Sequence, residues 1–151
     1  MRLTSLTDYA MRLLIHLAQH PERLCTIAEI AQVYGISEAH LMKITHQLGL
    51  AGWIETVRGK GGGMRLARPP KDIVLGDVVR SMESDFSLVE CFATGGNCML
   101  TGNCGLTGVL EGALNSFMRH LDGYTLADIL PRPPGSPKVI RMPRRVKEAR
   151  A

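Results

Sequence analysis

Between Thr26 and Ala67 the chain carries a run of local signals that leaves few folds open. Thr26-x-x-Glu29 is a capping signal that opens a short helix, Ile27 to Tyr34, and Gly35 stops it. Ser37 then caps a second helix from Glu38 to Leu48, with Leu41, Ile44 and Leu48 along one face. Two helices joined by a tight glycine turn form a helix-turn-helix, and the small Ala28 and Ala31 permit the close approach it needs. Trp53-Ile-Glu-Thr-Val57 alternates as a strand, and Met64-Arg-Leu-Ala67 is its partner. The basic, glycine-rich tip Arg58-Gly-Lys-Gly-Gly-Gly63 lies between them. Helix-turn-helix followed by such a hairpin predicts a winged helix. The tip is not read as a nucleotide site, because G-x4-G-K-[ST] is missing and the loop joins two strands instead of opening a helix.

The flanking segments are helical. Leu6, Ala10, Leu13, Leu14 and Leu17 recur at helical spacing and predict a helix over 4–20, ended by Pro21. Ser5-x-x-Asp8 resembles a capping box there, and Asp8 can also pair with Arg12 one turn on. Leu75 to Met82 reads as a short helix. Residues 108–122 read as a longer one with a wide apolar stripe through Val109, Leu110, Ala113, Leu114, Phe117, Met118 and Leu121. That stripe either packs on the first helix or forms a dimer contact, and the dimer helix is favoured because DNA readers of this type need two half-sites. Tyr124 to Leu130 is a short helix or turn. Four prolines between Pro131 and Pro137, then a basic run, predict a disordered tail. The expected class is thus mostly α with a small β-hairpin wing. Residues 1–83 form a winged helix-turn-helix DNA-binding domain, 84–130 a cysteine loop with a dimerisation helix, and 131–151 the tail. No apolar run approaches bilayer length and no signal-peptide pattern follows Met1, so a cytoplasmic protein without membrane partners is expected.

Three of the four cysteines fall in one stretch, Cys91, Cys98 and Cys104, spaced C-x6-C-x5-C around Gly95-Gly96 and Gly102. Glycine turns let three thiolates converge on one point, the geometry of a soft-metal or iron–sulfur site. A disulfide framework fits poorly, since the set is odd and the context is reducing. Structural zinc usually takes closer cysteine pairs, so the long gaps favour a cluster, with zinc and redox-active thiols left open. Cys25 reads as a small buried hydrophobe, and His16, His20, His46 and His120 show no metal-site spacing.

Charge divides the chain. Residues 1–68 hold eight Lys and Arg against five Asp and Glu, residues 72–128 two against eight, and residues 138–151 six against one. A basic front and tail can meet a polyanion, whereas the acidic middle cannot. The helix after Ser37 is expected in the major groove, with Ser37, Glu38, His40 and Lys43 as base-reading residues and Gln47 as a weaker one. Arg58 and Lys60 at the wing tip are expected on phosphates or in the minor groove. Trp53 reads as wing-base core.

Several of these stretches together resemble the Rrf-type bacterial transcription regulators. They are Leu3-Thr-Ser-Leu-Thr-Asp8-Tyr-Ala, the wing tip, Ile73-x-Leu-Gly-Asp-Val-Val79 and the three-cysteine loop. Leu88-Val-Glu-Cys91-Phe and Asp122-Gly-Tyr-Thr-Leu-Ala-Asp128 are most similar to the nitric-oxide-sensing branch. The resemblance spans roughly residues 1–130. It implies a regulator, not an enzyme: a homodimeric repressor on a pseudo-palindromic double-stranded operator. It also implies an iron–sulfur cluster, 4Fe–4S in preference to 2Fe–2S, whose attack by nitric oxide releases the DNA. The implied ligands are Cys91, Cys98 and Cys104, with Asp8 contributed by the partner subunit. Another branch, which reports iron–sulfur status, uses a histidine three residues after the last cysteine. Here that position is Thr107, so that branch is the alternative, as is a cluster-free or zinc-bearing thiol redox switch. A small electron-transfer protein would explain the cysteines but not the helix-turn-helix and wing.

Overall fold

The computed structural model describes residues 2–89, 92 and 104–131. The expectations for Cys91 and Cys98 and for the basic tail from residue 132 onward lie outside the described residues. The chain runs α1 (Ser5–Gln19), α2 (Ile27–Tyr34), α3 (Glu38–Leu50), β1 (Ile54–Val57) and β2 (Gly63–Leu66). A 3-10 turn (Pro70–Asp72), α4 (Leu75–Met82), α5 (Gly105–Asp122) and α6 (Leu126–Ile129) follow. This is a mostly helical winged helix with a two-stranded antiparallel wing. No helix among the described residues is long and apolar enough to cross a membrane.

α1 is the hub, packing against α2, α3, β2, α4 and α6. Its apolar residues at helical spacing, Ala10, Leu13, Leu14 and Leu17, are buried. Its start differs from the expected capping box. Thr4, in an extended conformation, is the N-cap, and its hydroxyl accepts the Thr7 amide at 3.4 Å. Ser5 is already helical, so it cannot cap, and the Asp8 carboxylate turns outward to Arg12 instead. The other caps follow the sequence. The Thr26 hydroxyl accepts from Glu29, Gly35 closes α2 in the left-handed region, and the Ser37 hydroxyl accepts from His40.

The wing pairs Ile54 with Leu66 through Val57 with Gly63. Its inner strand is extended by a third segment. Cys25 and Met64 exchange two backbone hydrogen bonds, of 3.0 and 2.8 Å. Gly63 permits that approach, since a Cβ there would lie 2.7 Å from the Cys25 carbonyl oxygen. Trp53 is buried at the base of the wing, its indole donating to Ser81 Oγ at 2.9 Å, and Arg68 covers its ring.

The later helices return to this core. The Leu75 amide donates to Tyr124 and the Leu126 amide to Ile73, so α6 closes over the region before α4. Leu126 is fully buried in the main core cluster. α5 starts at Gly105, three residues earlier than the apolar stripe suggests, and its main contact within the chain is α4, not the first helix that was the alternative to a dimer contact. A bidentate pair, Arg80 to Asp122 with both bonds at 2.7 Å, fixes the C-terminal end of α5 to α4. Only Met118 of α5 is buried, while Leu106 and Val109 are 59% and 68% exposed.

Leu126→Ala is expected to cost about 2–5 kcal/mol of stability, the usual range for emptying a buried leucine site. Ile129→Ala, on the exposed side of α6, should stay within about 0.5 kcal/mol. Urea unfolding of the two variants checks this, and equal losses would mean that α6 is not part of the cooperative core.

Candidate functional site

Cys104 is the one expected loop ligand among the described residues. It is half-buried at the N-cap of α5. The amides of Thr107 and Leu106, followed by the Thr107 hydroxyl, hold its thiol below the usual thiol range. A helix N-terminus favours the thiolate for the same reason that it favours any anion. A sulfur whose ionisation is favoured at this position fits an iron–sulfur or zinc ligand. Position 107, where the iron–sulfur-status branch places a histidine, here serves the Cys104 sulfur.

The root of the cysteine loop is tied to α1. The amide and hydroxyl of Thr4 both donate to Glu83 Oε1, at 2.7 and 3.1 Å. A cleft of about 550 Å³ opens beside this contact, lined by Leu3, Glu83, Phe86, Leu88, Leu114 and Phe117. Asp8 lies one turn into α1 from Thr4. Its carboxylate is half-exposed and bonds Arg12 at 2.7 Å.

From Asp8 a continuous line of contacts leads to α3. The Arg12 guanidinium lies 5.6 Å from the centre of the Tyr9 ring, and Tyr9 meets the His40 ring edge-on at 5.3 Å. His40 is in the first turn of α3 and half-buried by that contact. Among the other residues expected to read bases, Glu38 and Lys43 are exposed on α3, and Ser37 spends its hydroxyl on the cap. The exposed face also carries Met42, 55% exposed, and His46, which the sequence analysis did not select. Their spacing from Glu38, at i+4 and i+8, is the signal that places them on the same face. Arg58 and Lys60 are exposed at the wing tip, where Gly59 and Gly61 take φ of 98° and 76°. Two other cations near the wing are committed elsewhere, Arg65 to Glu55 across the strands and Arg68 to Trp53.

Cys25 differs from Cys104. It is fully buried, and burial raises its thiol above the ordinary value. The structure brings it together with His16 and His20, a grouping that the sequence analysis passed over.

A family model described as "Rrf2: Iron-dependent Transcriptional regulator" matches residues 3–132. The HTH-type transcriptional regulator NsrR of Bacillus subtilis (strain 168) is 46% identical over 144 residues, covering 94% of this chain and 99% of that protein. NsrR of Geobacillus kaustophilus (strain HTA426) is 52% identical over 132 residues, covering 86% of this chain and 90% of that protein. Among solved structures, IscR from T. potens superposes with a TM-score of 0.67 at 32% identity, covering 85% of each chain.

The two described thiols should separate chemically. In cluster-free protein, an iodoacetamide pulse followed by peptide mass spectrometry should find Cys104 alkylated at lower pH than an ordinary thiol, which is half-ionised at about pH 8.5. Reactivity there rises with pH as the thiolate fraction grows, so the lowered value moves the curve to lower pH. Cys25 should stay unmodified until the chain unfolds. The reverse ranking would mean that the amides at the start of α5 do not ionise Cys104.

Proposed function

Because this chain belongs to the Rrf2 family of transcriptional regulators, we propose that it is a DNA-binding repressor whose iron–sulfur cluster reports nitric oxide. Family membership makes it a regulator and not an enzyme. The observation that carries the sensing reading is the contact line Asp8–Arg12–Tyr9–His40, which joins the proposed ligand position to the first turn of the DNA-reading helix. The matches to NsrR proteins at 46–52% identity favour this branch. So does the use of Thr107 to support Cys104 in place of a histidine.

In this reading, residues 1–83 bind DNA, 84–130 hold the cluster and the dimer contact, and the tail from 131 adds positive charge. Cys91, Cys98 and Cys104 supply thiolates, and Asp8 of the partner subunit supplies a weaker oxygen ligand. When bound, the cluster, 4Fe–4S in preference to 2Fe–2S, provides iron that nitric oxide can attack. The protein's part is to convert the state of Asp8 into a position of α3. An Asp8 engaged across the dimer leaves Arg12, and Arg12 and Tyr9 then settle differently against His40. A released Asp8 returns to Arg12. The exposed apolar part of α5, Leu106 and Val109, supports a homodimer contact. Two copies would hold two α3 helices at one spacing for a pseudo-palindromic operator. In this reading Glu38, Lys43 and Met42, exposed on α3, meet base edges, with Ser37 and His40 at the end of α3 entering the groove. Arg58 and Lys60 are placed for phosphates.

The switch is checked by anaerobic fluorescence anisotropy at one salt concentration, on an operator duplex selected from random sequence with the cluster-loaded protein. Coupling in the usual allosteric range of about 1–3 kcal/mol predicts that cluster loss or nitric oxide weakens binding roughly 5- to 150-fold. Each of Cys91→Ala, Cys98→Ala and Cys104→Ala should lose iron, and Cys25→Ala should keep it. Asp8→Ala should keep much of the iron but change the absorption spectrum. Tyr9→Leu should keep the cluster while its state no longer alters DNA affinity. Equal binding by loaded, cluster-free and nitric-oxide-treated protein sinks the sensing reading.

The wing makes a separate prediction. Arg58→Ala and Lys60→Ala should each weaken binding to all duplexes and flatten the log–log salt slope by about 0.9. Arg65→Ala, already paired to Glu55, should leave the slope almost unchanged. Equal slopes for all three would mean that the wing tip does not reach the backbone.

A further inference from the structure

We propose that His16, His20 and Cys25 form a second metal site, separate from the cysteine loop, that takes a borderline divalent cation such as zinc. One potential ligand atom from each of the three side chains lies within 4.8 Å of the others. His16 is 4% exposed, Cys25 is fully buried and His20 is half-buried at the C-terminal end of α1. His20 is the C-cap of α1, four residues after His16, and the two rings lie together, with centroids 4.5 Å apart and planes tilted by 32°. Cys25 reaches them through tertiary structure, because its backbone pairs with Met64 of the wing.

Each imidazole has an outer partner of the kind that orients metal ligands. His20 Nδ1 is 2.9 Å from the His16 carbonyl oxygen, which can only accept, so Nδ1 carries the proton and Nε2 the lone pair. His16 Nε2 is 3.1 Å from Glu29 Oε1. The Glu29 carboxylate, paired with Arg23, accepts there, so a neutral His16 carries its lone pair on the other ring nitrogen. The Arg23 charge is already matched by this carboxylate.

Two imidazoles and one thiol select nitrogen- and sulfur-binding cations over calcium or magnesium. Ligand atoms around tetrahedral zinc lie roughly 3.5 Å apart, so the present set would have to close by about 1 Å. The half-buried side at His20 leaves room for a fourth ligand from solvent. Binding displaces the Cys25 proton to solvent as the thiolate takes the metal. The bound ion would join the end of α1, the strand-like segment before α2 and, through Met64, the wing.

The test uses the full chain with Cys91, Cys98 and Cys104 replaced by Ala, so that Cys25 is the only thiol. Titration with cobalt(II) should give one thiolate-to-cobalt charge-transfer band and tetrahedral ligand-field bands at one ion per chain, displaced by zinc. Adding Cys25→Ser should abolish the charge-transfer band. Adding His20→Gln, at a half-exposed position that the core does not need, should weaken binding by roughly tenfold or more. Absence of the band in the parent variant, or binding unchanged by His20→Gln, overturns the proposal. Neither readout involves DNA, nitric oxide or the cluster, so failure here and failure of the sensor reading are distinguishable.

Discussion

The burial of one face of α1 is the interaction on which the rest of the molecule depends. Leu13 and Leu14 are fully buried and Leu17 nearly so, and a buried leucine of this kind contributes about 1.5–3 kcal/mol. Five other elements, α2, α3, β2, α4 and α6, pack against α1. A helix buried along one stripe still presents other stripes, and α1 uses them. Asp8 and Arg12 are exposed on one. Tyr9 reaches α3, and His16 and His20 face Glu29 and Cys25. The Asp8–His40 line and the His16, His20 and Cys25 group are therefore both positioned by α1.

The acidic middle of the chain acquires a structural meaning from the contacts at its borders. Asp122 is held well ionised by Arg80, and Glu83 receives the start of α1 at Thr4. Glu83 lies at the end of α4 and Asp122 at the C-terminal end of α5, so one contact ties the end of α4 to the start of α1 and the other ties α5 to Arg80 of α4. The Arg80 guanidinium and the Asp122 carboxylate are both exposed in part, so solvent screening limits their strength, and their value is geometric. Gly76 belongs to the same arrangement, since a Cβ there would collide with Asp122. The Ile73-x-Leu-Gly-Asp-Val-Val79 stretch, noticed in the sequence as a motif, thus has a packing reason for its glycine.

What was legible in the sequence was local. Gly35, Ser37 and the wing tip each act within a few residues of themselves, and the helix-turn-helix and hairpin follow from them. The cap of α1 was misread by one residue because Thr4 and Ser5 are both good caps, and backbone conformation decides between them. The contact of α5 with α4 was not foreseen, because an apolar stripe does not name its partner, and the Arg80–Asp122 pair that ties the two helices spans 42 residues. His16, His20 and Cys25 were passed over because the third member is supplied by a bridge to Met64, 39 positions along the chain. No spacing rule contains that bridge. Asp8 is the converse case. Its spacing from Arg12 and its resemblance to a ligand position were both readable, and the structure displays the pairing with Arg12.

Magnitudes favour the outer layer of α1 over its core as the route between ligand and DNA in the proposed switch. Displacing a buried leucine costs several kcal/mol, more than a signal of about 1–3 kcal/mol can supply. The contacts from Asp8 to His40 are of the right size. A half-exposed ion pair contributes about 0.2–1 kcal/mol, an arginine over tyrosine about 0.5–1, and an edge-on aromatic contact about 0.5–1.5. Summed, they span the coupling range without disturbing Leu13, Leu14 or Leu17. Such a line can be remade at low cost while the buried face keeps α1 in register. His40 adds a constraint of its own. Its amide caps on Ser37 while its ring packs on Tyr9, so a new position for Tyr9 is felt at the residues that begin the reading helix. A shift there changes how the first turn of α3 enters a groove, and with two copies on one operator the change acts at both half-sites together.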